Sequence, residues 1–365
     1  MKSIWEDAYV GKANKEMLAG REIVKNFGNL EQEYQAIREG AMLYDASTYG
    51  IFSVLGQAVD EFLERLATKD IQYLNVGNAS ECLFLTEEAE VVGSVIIIKR
   101  ERDYCLLVPW EHAQAIKDWL IKQAQDEEEV KIEDLSGQKG ILALEGPQTW
   151  KIVQQMLPQV NVESLALRMA VEVTDESGEI TLMRFGRSSE YGYMIISDAD
   201  GIKKYYQKAF EIGKKESILV ADGGVDVLEL AMLEIHQPNF IRETAEFGNV
   251  LELDQQWFIQ FDKEDYLGQE KLKELFEEGV SKHSVGFVCE KEVEPKTAVF
   301  CEGEQIGEVI YTRYSFALKK AVGIALLENP YAQSRMTYGI GEEKMPMETL
   351  SAPYVRPLSW DLAME

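Results

Sequence analysis

Apolar and polar positions alternate along this chain with two different periods, and the period switches repeatedly. Ile51-Phe-Ser-Val-Leu55 is a short apolar run of strand type, whereas Val59, Phe62, Leu63 and Leu66, beyond Gly56, fall on one face at helical spacing. The pattern predicts a strand followed by an amphipathic helix. Leu83-Phe-Leu, Val91-Val, Val95-Ile-Ile-Ile and Tyr104-Cys-Leu-Leu-Val read as further strands. Ala115, Ile116, Trp119 and Leu120 mark a helix that runs out in the acidic stretch from Asp126 to Glu129. The succession then recurs: Gly140-Ile-Leu-Ala-Leu leads through Gly146-Pro147 into a helix carrying Trp150, Val153 and Leu157, with Pro147 suited to its first turn. Val171-Glu-Val and Glu179-Ile-Thr-Leu-Met-Arg-Phe flank Asp175-Glu-Ser-Gly178, a hairpin signal.

From about residue 284 the pattern changes. Val285-Gly-Phe-Val, Ala298-Val-Phe, Gly307-Glu-Val-Ile-Tyr and Ala321-Val-Gly-Ile-Ala-Leu are short strands with glycine-containing turns, which predicts a separate small β domain. The hydrophilic helix from Gly268 to Gly279 is the expected connector. The expected division is residues 1–275 as one region of α and β elements and 284–365 as the C-terminal domain.

Composition narrows the function. With 365 residues, 46% hydrophobic and 10% aromatic, the chain can bury a substantial core. A net charge of −27 repels nucleic acid and anionic membranes, so neither is an expected partner. No apolar run reaches the roughly 18 to 20 residues of a membrane span, and Met1-Lys-Ser-Ile-Trp-Glu-Asp has no signal-peptide pattern, so the cytoplasm is the expected compartment. Cys82, Cys105, Cys289 and Cys301 are scattered, and His112, His236 and His283 lie far apart, so neither a disulfide framework nor a metal site is expected.

Several segments, in order, carry a resemblance: Gly40-Ala-Met-Leu-Tyr-Asp45-Ala-Ser-Thr-Tyr-Gly50, Leu144-Glu-Gly-Pro147-Gln, Gly186-Arg-Ser-Ser-Glu190-Tyr-Gly192-Tyr193, Asp265-Tyr-Leu-Gly268-Gln-Glu270 and Gly307-Glu-Val-Ile-Tyr-Thr-Arg-Tyr-Ser-Phe-Ala317. From about residue 30 to 360 the chain resembles the T-protein of the glycine cleavage system and its methyltransferase relatives. The resemblance implies a three-lobed α+β fold with tetrahydrofolate in a central channel and a C-terminal β-barrel-like domain. The Gly186 to Tyr193 segment is similar to the family's Gly-Tyr-Thr-Gly-Glu-x-Gly-Tyr, whose glutamate grips the pterin. A carboxylate there accepts two coplanar donors as a fork, which makes Glu190 the expected pterin ligand. Arg187, Gly192, Trp110 and Arg313 are the other expected folate contacts, with Arg184, Lys319 and Lys320 as further cations for the glutamyl tail. Tyr191 and Tyr193 are the expected proton donors. Asp45 reads as a structural turn carboxylate.

The departures fall at the substrate end. The family carries Gly-Val-hydrophobic-Asp-Asp where this chain has Glu90-Val-Val-Gly93-Ser94, and a Val-Asn step where it has Val108-Pro109-Trp110. The family's catalytic aspartate is therefore missing. A branch that supports iron-sulphur proteins has a cysteine where Asp265 stands, so that function is not expected. The leading expectation is transfer of a methyl group from a small methylated donor to N5 of tetrahydrofolate, because such a donor needs alignment more than a carboxylate. The alternatives are the aminomethyltransferase of glycine cleavage, with a lipoyl carrier protein as partner, and a non-catalytic folate-binding protein.

Overall fold

The computed structural model describes residues 1–125, 127–176, 178–243, 250–253 and 255–364. Two sheets face each other across a shared core. The first runs Ala79–Leu85, Val91–Lys99, Tyr104–Val108, Gly50–Gly56, Val130–Asp134 in spatial order and is antiparallel throughout. Its outer face is covered by the helices Val59–Leu66 and Ala113–Gln123. The alternation explains why Val95-Ile-Ile-Ile is uniformly apolar. Val95 and Ile97 pack outward under those helices, while Ile96 and Ile98 point into the central core.

The second sheet runs Ala170–Asp175, Gly178–Arg184, Gly192–Ser197, Gly140–Glu145, Ala41–Asp45, Val220–Asp222, and the last strand pairs parallel to its neighbour. It is two-sided in the same way. Leu142, Leu144, Tyr193 and Ile195 meet the helices Thr149–Met156 and Ala199–Glu216, while Ile141, Ala143, Met194 and Ile196 face inward.

The helix Val225–Glu234 runs through the middle and packs against the helix Leu30–Glu39 and the barrel strands Glu304–Ser315 and Lys320–Glu328. Leu228, Leu230 and Ala231 join Ile96 and Met194 from the two sheets and Val288, Ile310 and Ile324 from the barrel in one core. Each of the buried leucine, isoleucine, valine and methionine side chains contributes about 1.5–3 kcal/mol of transfer free energy, which ties the three lobes into one unit.

The C-terminal sheet closes into a six-stranded barrel in the order Lys282–Cys289, Lys320–Glu328, Glu304–Ser315, Ala298–Cys301, Thr337–Ile340, Met345–Leu350. Closure removes the exposed edges of an open sheet. The helix Gln269–Glu278 precedes it. After the barrel the chain returns to the centre, where the Tyr354 N–H donates to the Glu234 carbonyl at 2.7 Å.

Local readings need three adjustments. Val91-Val and Val95-Ile-Ile-Ile belong to one strand. The helix after Gly146 starts at Thr149 with Gln148 as its cap, so Pro147 precedes the first turn instead of forming it. Asp126 and Ser177, named in the acidic stretch and the hairpin, lie outside the described residues. All four cysteines are free, and Cys82, Cys105 and Cys289 are buried. Among the described residues no helix is long and apolar enough to cross a membrane, and no three or more His, Cys, Asp or Glu side chains gather in a way that could hold a metal ion.

Candidate functional site

The loop between Gly178–Arg184 and Gly192–Ser197 carries the expected pterin motif, and a buried carboxylate sets its shape. Glu145 Oε2 accepts from the Arg187 N–H at 3.0 Å and the Ser188 N–H at 2.7 Å, while its Oε1 accepts from the Tyr44 hydroxyl at 2.9 Å. Gly186 and Gly192 bring the two arms of the loop together: a Cβ on Gly192 would lie 2.4 Å from the Gly186 Cα. Their first role is thus backbone against backbone.

Glu190 is buried and fully engaged. Its Oε2 accepts from the Ser359 N–H at 2.9 Å and the Ser359 hydroxyl at 2.6 Å; its Oε1 accepts from the Leu358 N–H at 3.1 Å and Arg38 Nη1 at 3.3 Å. Arg38 also donates to Glu234 at 2.8 Å, and Glu234 accepts from the Tyr34 hydroxyl and, at 2.6 Å, from the Ser315 hydroxyl. The C-terminal turn Leu358–Trp360 therefore occupies the fork that the resemblance reserves for a pterin edge.

Among the cavities that touch this motif, two lie on either side of the Arg187–Glu81 pair. The outer one, about 450 Å³, is lined by Glu190, Tyr191 and Gly192 together with Arg168, Arg184, Phe185 and Trp360. The inner one, about 50 Å³, is lined by Tyr49, Ser94, Trp110, Glu111, Arg187 and Asn239, with Leu228, Glu229 and Met232 from the central helix. Glu81 lines the outer cavity and Arg187 the inner one, so their ion pair at 3.2 Å stands between the two. Burial works against the Arg187 charge, but Glu81 and Tyr49 hold its pKa above the ordinary arginine value.

The inner cavity has a chemical peculiarity: three of its buried polar atoms, Ser94 Oγ, Glu111 Oε2 and Asn239 Nδ2, have no hydrogen-bond partner among the described residues. Such atoms cost about 1–3 kcal/mol each when left unpaired. Burial pushes the Glu111 carboxyl up to about 7, against the pull of its own backbone N–H and of Arg187, with Glu229 adding to the rise. His112, next in the chain, is pushed down to about 4 by burial and by Arg187, so its ring is neutral at pH 7. The Ser94 N–H donates to His112 Nδ1 at 3.3 Å.

His112 also explains Gly93. A Cβ at position 93 would lie 2.8 Å from the His112 Cβ and 2.9 Å from its Cγ, so the imidazole fills the space a longer side chain would need. Gly93 pairs with Phe84 and shares its helix-covered face, while Ser94, next in the strand, lines the inner cavity. The turn that puts His112 over Gly93 puts Glu111 into the cavity.

The expected site residues divide accordingly. Arg187 and Trp110 line the inner cavity; Glu190, Tyr191, Gly192 and Arg184 line the outer one. Arg313 reaches the inner cavity through Glu229, bonding its Oε2 at 2.5 Å. Lys319 and Lys320 are exposed in the barrel hairpin beyond Ser315. Tyr193 is a correction. It lies on the outer face of its strand, fully buried in the core beneath the helices, with its hydroxyl 3.8 Å from Met364 Sδ, so it meets neither cavity. Tyr191 donates its hydroxyl to the Leu362 carbonyl and does not reach the inner cavity either. Asp45 is a turn carboxylate, accepting from the Ser47 N–H at 2.7 Å and from the Tyr9 hydroxyl. Sequence reasoning missed Glu111, His112 and Asn239, for which no motif gave a signal.

The residues present fit a reduced folate. The outer cavity has the volume of a ligand pocket and two arginines for an anionic tail, and the inner one holds unpaired donors and acceptors for a polar ring edge. Comparison with known proteins agrees. The family model described as the GCVT N-terminal domain matches residues 10–263, and that described as the glycine cleavage T-protein C-terminal barrel domain matches residues 282–355. The chain is 28% identical over 331 residues to the aminomethyltransferase of Bacillus mycoides, covering 89% of each protein. To that of Bacillus pumilus it is 28% identical over 320 residues, covering 86% of each. The crystal structure of the glycine cleavage system aminomethyltransferase T from Bartonella henselae superposes with a TM-score of 0.84 over 94% of this chain and 95% of that one, at 19% identity, which shows a shared fold. With the two family models covering both the facing sheets and the barrel, the chain belongs to the glycine cleavage T-protein family.

Proposed function

We propose that the protein transfers a one-carbon unit to tetrahydrofolate, and that the unit is the aminomethyl group borne by a lipoyl carrier protein. The family is one of tetrahydrofolate-dependent transferases, and the similar proteins from Bacillus mycoides and Bacillus pumilus are both named aminomethyltransferase. The observation that carries the reading is the inner cavity. Ser94 Oγ, Glu111 Oε2 and Asn239 Nδ2 are buried and unpaired around it, an arrangement that a polar ligand would complete. Arg168 and Arg184, on the outer cavity, supply cations for the glutamyl tail.

The expectation of a pre-activated methyl donor rested on the loss of the family's aspartate. Glu111 supplies a carboxyl group in the same cavity as Ser94, so that premise no longer separates the reactions. Incubation with tetrahydrofolate and an aminomethylated lipoyl carrier, with ammonia and methylenetetrahydrofolate as readouts, tests the proposal. Release of both supports it. No release, together with 5-methyltetrahydrofolate formed from methylated sulfonium, ammonium or O-methyl compounds, would replace it with methyl transfer.

A further inference from the structure

We infer that Glu111, just beyond the end of the strand Tyr104–Val108, is the acid–base group of the transfer. The inference rests on the transfer reaction proposed above.

That strand and Val91–Lys99 are neighbours in the sheet, paired from Ile96↔Leu107 to Lys99↔Tyr104, so the residues that leave their ends enter one cavity. Position 93 does not carry the group: it pairs with Phe84 on the helix-covered face, where His112 fills its side-chain space. Position 94 carries a hydroxyl whose oxygen is buried and unpaired. The Glu111 Oε2 lies in the same cavity, also closed off and unpaired.

The charged and titratable groups facing Glu111 come from three directions. Arg187 extends from the motif loop and Glu229 from the central helix, with Tyr49 on the first sheet's side and the neutral His112 next in the chain. Arg187 favours the ionised form while burial and Glu229 favour the protonated one, which leaves the carboxyl titrating near neutrality. A group so balanced can both give and accept a proton at pH 7.

The reaction needs both. The methylene carbon exchanges its bonds to sulfur and nitrogen for bonds to N5 and N10 of tetrahydrofolate. The two protons released from those nitrogens leave on the thiol and on ammonia. Glu111 takes the proton from the attacking nitrogen and returns it to the departing amine, so atoms and charge balance with no further reactant. Tetrahydrofolate supplies the two accepting nitrogens. Glu111 supplies the proton path, and Ser94 and Asn239 supply a hydroxyl and an amide beside it.

Difference infrared spectroscopy of the whole protein, comparing wild type with Glu111→Gln, tests this without relying on turnover. A protonated carboxyl band should be present at pH 6, vanish by pH 8, be absent in Glu111→Gln, and move when tetrahydrofolate is added. Turnover of the aminomethylated carrier should fall about 100- to 10,000-fold in Glu111→Gln, with tetrahydrofolate affinity changed less than about tenfold and the limb of the pH–rate profile near 7 lost. Glu111→Asp should recover part of the rate. Wild-type protein that binds no tetrahydrofolate defeats the functional reading itself. Tetrahydrofolate binding that leaves the band unmoved, or a Glu111→Gln enzyme as fast as wild type, defeats the role of Glu111 alone.

Discussion

Glu190 and Glu111 are two buried carboxyl groups on opposite sides of the Arg187–Glu81 pair, and they differ in one respect. Every lone pair that Glu190 offers is taken: by the backbone and hydroxyl of Ser359, by the Leu358 N–H and by Arg38. Glu111 has an oxygen with no partner, in a cavity with two other unpaired polar atoms. The difference separates structure from chemistry. A saturated carboxylate fixes chain segments in place, here joining the C-terminal turn to the second sheet and to Arg38 on the helix Leu30–Glu39. An unsaturated one is a cost to the empty fold that a ligand can relieve. The glutamate marked out by the motif thus anchors chain segments, and an unmarked glutamate faces the inner cavity.

Arg187 holds the two ends apart, and replacing it breaks the comparison most severely. Arg187→Met leaves the buried Glu81 with only the more exposed Arg168, at 3.4 Å, as its counter-charge, which is expected to cost about 3–4 kcal/mol of stability. Urea denaturation at pH 7 measures it, and a loss under 1 kcal/mol would show that the pair separates nothing. Glu190→Ala is expected to cost about 2–4 kcal/mol, since Arg38 and two backbone N–H groups lose an acceptor in a buried setting. Hydrogen exchange should also accelerate selectively at residues 354–364. If exchange there is unchanged, the C-terminal turn is held by something other than Glu190.

Gly93→Asp sharpens the contrast from the other side. Restoring the family's aspartate drives a side chain into His112 and should destabilise by about 1–3 kcal/mol through overpacking. His112→Gly in the same chain removes all three contacting atoms and should recover most of that loss. Thermal melting of the single and double variants decides it, and additive effects would refute the shared space.

Much of the architecture was legible because it is periodic. The apolar run Val95-Ile-Ile-Ile identified a strand buried on both faces, and the glycine-punctuated strands after residue 284 identified the region that closes into a barrel. The motif loop was legible as a segment, but its contacts were not. Glu190 meets Ser359 across 169 positions and Arg38 across 152, separations over which local pattern carries no information. Glu111 was invisible for a related reason. A single glutamate between Trp110 and His112 looks like any solvated residue at a helix start, and only the crossing of two strand ends puts it in a cavity. Tyr193 went astray through strand alternation: its neighbours Gly192 and Met194 face the centre, so it cannot.

Glu33 is the control for the comparison, and it carries the smallest effect. Like Glu111 it has a buried oxygen without a partner, but it lines neither the inner nor the outer cavity. Burial pushes its carboxyl up to about 7 despite the Phe27 N–H, which donates to Oε1 at 2.7 Å. A folded-state pKa above the unfolded one means that the native state holds the extra proton. The stability Glu33 contributes is therefore complete below the ordinary carboxyl range and is lost as pH rises through about 7. Glu33→Gln should leave the melting temperature near wild type at pH 5 and raise stability at pH 8 by about 1–2 kcal/mol, the removed charge outweighing a weakened bond to Phe27. Glu111→Gln should shift stability in the same direction, so melting alone does not tell the two apart. Tetrahydrofolate does. Its binding should perturb the titration of Glu111 and leave that of Glu33 unmoved, and equal responses at both positions would mean that an unpaired oxygen marks burial alone and not a site.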